Sequence, residues 1–367
     1  MSVRRRVIGA VAGALGVAAA GTAVGVARQQ QAISRRAGEA VPFGALRSTP
    51  ITVVADDGLP LHVEVDEVEG PQGLRERVAG RRRAQGGDHT AVTVVFVHGY
   101  CLNQDSWHFQ RAAYRGLVRT VFYDQRSHGR SGRSTRENAT IDQLGADLHQ
   151  VLDQVVPEGP VVLVGHSMGG MTIVALAEAH PELFGDRVVG VGLISTTAGG
   201  LDPGRILLPL FPTRLSGGVT TRAVGTLRRG HRPIDLVRRA GRAIATVATD
   251  KLAFGQAVPE SYVRFVDEML SATPFEVVAD FFPSFSSLDK FDSVEVLGAV
   301  PTSVLCGTSD KLTSIGHSRK LHARIPGSQL LECEGAGHML PLERHDLVNA
   351  ELDQLISAAA ERVVRRW

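Results

Sequence analysis

The chain has 367 residues, 43% of them hydrophobic and 21% charged, enough for one large core or two ordinary ones. Forty Lys+Arg against 38 Asp+Glu leave a net charge of +2, so composition gives no reason to expect nucleic acid as a partner. Three cysteines, Cys101, Cys306 and Cys333, make neither a disulfide framework nor a metal-ligand spacing.

Residues 1–6 are MSVRRR, and residues 7–27 then carry no charge. A helix of that length rises about 30 Å, the thickness of a bilayer core. The expectation is a single-pass membrane anchor, or an exported chain if the segment is cleaved near Gly25-Val26-Ala27. The folded domain is expected to begin near residue 45, after a 1–44 targeting segment and linker.

ITVVA (51–55) and LHVEVDEV (61–68) flank Asp57-Gly58 and predict a hairpin. Residues 69–90, polar and rich in Gly and Arg, predict a loop. VTVVFVHG (92–99), RTVFYD (119–124), PVVLVG (160–165), RVVGVGLIS (187–195), VPTSVLCG (300–307) and SQLLEC (328–333) read as strands, with a helix over 140–156. Continuous apolar strands alternating with helices predict an α/β fold with a mostly parallel sheet covered on both faces. Residues 196–290 interrupt the rhythm with amphipathic segments and no clear strand. So long a connection is expected to be functional, here a helical lid. The organisation expected is core 45–195, cap 196–290 and core 291–367.

Gly165-His166-Ser167-Met168-Gly169 stands where a buried strand runs into a helix. Gly-x-Ser-x-Gly in that context forms a strained turn that lifts the serine hydroxyl above the sheet. It also puts the Met168 N–H at a helix N-terminus, facing the same space. A phosphate loop would need a Gly-Lys pair, which the chain lacks. Ser167 needs a base with a carboxylate behind it. His338, in EGAGHMLPLERHDLV, follows the last strand by about five residues. Asp310, in CGTSDKLTS, follows the glycine ending the preceding strand by three. Ser, Asp and His, each past the C-terminal end of a strand, fall on one edge of a parallel sheet. The turn His98-Gly99-Tyr100 offers the Tyr100 N–H as a second oxyanion donor, with His98 structural and Tyr100 and Trp107 lining the pocket. YDQRSHGRSG (123–132) reads as scaffolding in which Asp124 and Arg126 brace each other. Cys306 and Cys333 fall near the ends of neighbouring strands. A bridge between them stays open for an exported chain, and buried free thiols are the reading taken.

His-Gly-Tyr, Asp-x-Arg-x-x-Gly-x-Ser, Gly-His-Ser-Met-Gly-Gly, Gly-x-x-Asp and Gly-Ala-Gly-His, in this order, resemble the α/β-hydrolase superfamily over roughly residues 50–365. The likeness is to the lipase, esterase and perhydrolase-like branch with a helical cap. It implies Ser167 as nucleophile, His338 as base, Asp310 as acid, and Tyr100 and Met168 as oxyanion donors. Dehalogenases and epoxide hydrolases of this fold carry Asp at the elbow, so Ser167 counts against them. The N-terminal apolar segment and the loop at 69–90 depart from the pattern. The function expected is hydrolysis of carboxylic esters of hydrophobic acyl groups, with no metal or organic cofactor and a small-molecule ester as partner. Thioesterase or perhydrolase-type acyl transfer is the alternative, with a non-catalytic ligand-binding protein as the contrasting class.

Overall fold

The computed structural model describes residues 25–36, 38, 41–69, 92–201 and 242–365. Its strands are β1 (Pro50–Val54), β2 (Pro60–Asp66), β3 (Thr93–Val97), β4 (Arg119–Tyr123), β5 (Val161–His166), β6 (Val188–Ile194), β7 (Thr302–Gly307) and β8 (Gln329–Cys333). Its helices include α1 (His108–Tyr114), α2 (Ile141–Val155), α3 (Met168–Ala179), α4 (Arg242–Ala253), α5 (Glu260–Ala272), α6 (Phe275–Ser287), α7 (Ile315–Arg324), α8 (Leu340–Glu343) and α9 (His345–Val364).

The strands form one sheet in the order β1-β2-β4-β3-β5-β6-β7-β8. β1–β2 and β2–β4 are antiparallel, and every other pair is parallel. β3, β5, β6 and β7 are buried at every position, which is why they read as unbroken apolar runs. Alternate residues face opposite sides. Val95, Leu163 and Val191 pack with Leu148 and Leu152 of α2 and Ile173 of α3. Phe96, Val162 and Ile194 pack with Tyr114 of α1 and Leu352 and Leu355 of α9. Each such fully buried apolar side chain contributes roughly 1.5–3 kcal/mol. α2 starts where Thr140 caps it, accepting from the Gln143 N–H at 3.1 Å.

β3 lies between β4 and β5, so the chain winds outward one way to β4 and the other way from β5. A crevice opens where strand order reverses, at the C-terminal ends of β3 and β5. The loops bearing Tyr100 and Ser167 leave from those two ends.

Between β6 and β7 the chain makes its long excursion. Gly199 pairs with Asp289 in an antiparallel bridge, and the Lys290 N–H donates to the Ala198 carbonyl at 2.7 Å. The described part of the excursion is α4, α5 and α6. The Arg-rich segment at 221–230 lies outside the described residues, as does the loop at 70–90.

The N-terminal expectations meet the structure only in part. Residues 7–24 of the expected membrane span lie outside the described residues. Residues 25–34 form a helix, so Gly25, Val26 and Ala27 are continuous with residues 28–34 rather than set apart from them. Ile33, 1% exposed, packs among Val247, Val263, Val266 and Met269. Arg36 holds both carboxylate oxygens of Asp250 on α4, and Phe43 stacks on Phe265 of α5 with ring centroids 4.2 Å apart. Ordered packing therefore begins ahead of residue 45, because Ile33, Arg36 and Phe43 find partners more than 200 residues away. Among the described residues no helix is long and apolar enough to cross a membrane.

Two further expectations need correction. Arg126 is fully buried, but it pairs with Asp147 and Asp57, not with Asp124. Asp124 instead accepts the backbone N–H groups of Gln104 and Arg130. Trp107 does not line the cavity that Tyr100 and Ser167 share. It is 0% exposed beneath the sheet edge, tilted against Phe96. Cys101, Cys306 and Cys333 are all free and buried. Burial pushes the Cys306 thiol up to about 12 and the Cys333 thiol up to about 11, which keeps both protonated.

Candidate active site

β5 runs into α3 through a single residue, Ser167, whose φ of +54° and ψ of −118° lie outside the regions ordinary residues prefer. Such a conformation costs about 1–3 kcal/mol and persists only where its surroundings over-determine it. Here the Ser167 N–H donates to the Ile194 carbonyl at 2.9 Å, and the Thr196 hydroxyl donates to the Ser167 carbonyl at 2.6 Å. Glycine is required at 169 for close approach: a Cβ there would run into the Val97 carbonyl at the end of β3.

The structure brings Ser167, His338 and Asp310 into one hydrogen-bonded chain. His338 Nε2 lies 3.0 Å from Ser167 Oγ, and His338 Nδ1 lies 2.9 Å from Asp310 Oδ2. A carboxylate only accepts, so Nδ1–H donates to Asp310 and leaves Nε2 to accept the serine proton. Asp310 Oδ1 is held by the N–H groups of Leu312 and Thr313 at 2.8 and 2.9 Å. Burial pushes the Asp310 carboxyl up, but His338 and those two N–H groups more than reverse it. It therefore sits below the usual carboxylate range and stays charged.

Met168 is the first residue of α3, so its N–H has no acceptor within the helix. Its side chain points away, into a cluster with Leu144 and Phe281. Tyr100 reaches the cavity above Ser167. Its hydroxyl donates to the Val278 carbonyl of α6 at 2.7 Å, and its ring meets Phe285 edge-on at 4.8 Å. The loop before it is pinned by His98, whose Nδ1–H donates to the Gly99 carbonyl at 2.8 Å and whose Nε2 accepts from Gln125 N–H at 2.9 Å. Burial holds His98 down at about 4, so the ring is neutral, which this double role requires.

Three residues near the site went unmarked in the sequence. His166 Nε2–H donates to the His338 carbonyl at 2.9 Å. Burial, with His338 nearby, drives its pKa down to about 3. Thr313 Oγ1 donates to the Ser195 carbonyl at 2.7 Å and lies 3.0 Å from Asp310 Oδ2. Glu343 accepts from the Gly337 N–H within the His338 loop and from the Gly255 N–H of the excursion. His166 had a signal, its place before the elbow serine. Thr313 and Glu343 had none, since their partners are distant in sequence.

Ser167 and His338 open into a cavity of about 230 Å³. Its walls are mainly apolar: Leu102, Met171, Leu201, Val278, Phe285 and Met339, with Ala245, Ala248, Thr249 and Leu252 from one face of α4. A larger groove of about 800 Å³ lies between residues 34–44 and α5, and none of the three linked residues lines it. Among the described residues, no group of three or more His, Cys, Asp or Glu is placed to hold a metal ion.

Residues 94–351 match the profile described as the alpha/beta hydrolase family. An uncharacterised protein of Mycobacterium tuberculosis is 25% identical over 75% of this chain and 78% of its own length. A putative carbamate hydrolase of Caulobacter is 26% identical over 73% of this chain and 91% of its own. An esterase from Thermogutta terrifontis superposes with a TM-score of 0.61 at 21% identity, over 85% of this chain and all of that one.

Proposed function

We propose, for a chain that belongs to the alpha/beta hydrolase family and is a hydrolase, that it cleaves carboxylic esters through an acyl-enzyme on Ser167. The observation that carries this reading is the unbroken chain from Ser167 Oγ through His338 to Asp310, raised on a strained turn. Ser167 attacks the ester carbonyl while His338 Nε2 takes its proton. Asp310 holds the ring and stabilises the imidazolium. The N–H groups of Met168 and Tyr100 receive the oxyanion, which expels the alcohol as His338 returns the proton. Water, deprotonated by His338, then frees the acid.

The apolar cavity favours a hydrophobic acyl group. An apolar cavity of about 150 Å³ accommodates benzene, so about 230 Å³ gives room for roughly nine carbons. The test uses p-nitrophenyl esters from acetyl to palmitoyl, with a fluorophosphonate probe on wild type and Ser167→Ala. The expected result is a maximum at medium chain length and labelling lost in the variant. A near-zero response across the series, or equal labelling of both proteins, removes the reading. A ligand that binds the cavity without turnover would point to the non-catalytic alternative, and faster turnover of thioesters to acyl transfer of that kind. Membrane attachment or export through residues 7–27 is proposed from sequence alone. N-terminal sequencing of protein recovered from cells, with an alkaline wash of the membrane fraction, tests it.

A further inference from the structure

The loop that carries His338 is gripped on both sides of that residue by the excursion between β6 and β7. Glu343 Oε2 accepts from the Gly337 N–H at 2.8 Å and from the Gly255 N–H at 3.0 Å. Its Oε1 accepts from the Gln256 N–H at 2.9 Å. On the other side of His338, the Met339 N–H donates to the Ala253 carbonyl at 2.8 Å. Residues 253–256 are the C-terminal end of α4 and the turn after it. The two backbones touch so closely that a Cβ at Gly255 would run into the Gly335 carbonyl, and one at Gly337 into the Gly255 nitrogen. Glu343 is 8% exposed, so these bonds form where water competes little.

From this we infer that Glu343 is a positioning residue: its carboxylate locks the end of α4 onto the His338 loop, so that seating of the excursion and placement of the base are one event. This rests on the serine-hydrolase reading. Three N–H groups converge on one side chain, and only a carboxylate accepts all three. A carboxamide turns its NH2 toward at least one of the donors, whichever way it is oriented. The His338 ring must meet Ser167 Oγ within hydrogen-bond reach, and misplacement by about 1 Å can cost about a hundredfold in rate. α4 also lines the substrate cavity through Ala248 and Leu252. The lock therefore joins the wall that holds substrate to the group that moves its proton.

The test is Glu343→Gln in the full chain, assayed on a medium-chain p-nitrophenyl ester. The expected result is kcat lower by about tenfold with KM within about twofold, since the cavity still binds the ester. Glu343→Asp gives the second variant. It keeps the charge, withdraws the oxygens by about one carbon–carbon bond, ~1.5 Å, and is expected to show the same fall. A purely structural Glu343 would lower Tm and leave kcat alone. Either variant, folded and at wild-type kcat, overturns the inference, as does a loss confined to KM. Wild-type protein that takes no fluorophosphonate removes the serine-hydrolase reading and this inference with it. Labelled wild type beside an unaffected Glu343→Gln removes this inference alone.

Discussion

The C-terminal edge of the sheet and the excursion above it are held by different forces. At the edge, Ser167 and Asp310 hang from strands whose every residue is buried, and His338 from β8, buried at its last residue, with short loops braced by backbone hydrogen bonds. Away from the backbone contacts at residues 253–256, the excursion rests on side-chain contacts: Ile33 among the residues of α4 and α5, Phe43 on Phe265, Arg36 on Asp250, Tyr100 on the Val278 carbonyl. The first arrangement fixes atoms to within a hydrogen bond. The second fixes a surface, and leaves its chemistry open to change. On the proposed reading this suits their roles, since a reaction centre needs the former and a substrate wall only the latter.

Four perturbations separate the two regions, from the strongest to the weakest. Asp310→Asn should lower kcat by about 10⁴-fold and barely change Tm, because it spoils the His338 tautomer without opening a cavity. A fall of only a few-fold would mean the strand-end chain is not the reaction centre. Acid should come next. His98 and His128 lie in the strand-end loops and His166 ends β5, and burial holds them at about 4, 3 and 3. Below pH 6.5 the unfolded chain takes up protons that these rings refuse. Stability is thus complete above 6.5 and falls toward pH 4 by about 1.4 kcal/mol per pH unit for each ring. Denaturant midpoints at stepped pH measure it, and a flat profile from 6.5 to 4 would refute neutral burial. Gly169→Ala drives a methyl group into the Val97 carbonyl. It should cost about 2–3 kcal/mol and slow fluorophosphonate labelling, both readable in one preparation. Arg36→Ala acts on the excursion alone. About 1 kcal/mol of stability and an unchanged kcat are expected. If kcat also dropped tenfold, the division between the regions would fail.

All eight strands were legible, but for different reasons: β3, β5, β6 and β7 are buried at every position and leave unbroken apolar runs, β4 and β8 leave shorter ones, and β1 and β2 show as a hairpin around Asp57-Gly58. The three linked residues were legible too, since each sits at a fixed offset past such a run. What escaped were contacts between segments far apart in the chain. Arg126 has a carboxylate two residues before it in sequence, Asp124, yet it pairs with Asp147, because α2 presents that carboxylate to the buried guanidinium. Trp107 reads as a pocket aromatic, yet it packs inward on Phe96. Residues 28–44 read as a polar linker, because the three residues that pack, Ile33, Arg36 and Phe43, show no period. Glu343 shows the limit most plainly, as two of its three donors lie 87 and 88 residues away.

The bridge between Gly199 and Asp289 has an evolutionary meaning. The excursion leaves and re-enters the sheet layer at adjacent points. From the standpoint of β6 and β7, then, the whole stretch between them is equivalent to a short connection. Lengthening such a closed loop costs little, about 0.6 kcal/mol for each doubling. On the proposed reading, residues 200–288 are therefore expected to be exchangeable as a cassette, altering which substrates enter while Ser167, His338 and Asp310 stay in register. A chimera carrying a foreign segment there should keep its fluorophosphonate labelling and change its chain-length profile. The graft must also supply N–H groups where Gly255 and Gln256 now meet Glu343. Loss of labelling in grafts that do supply them would show that the sheet edge depends on more of the excursion than those contacts.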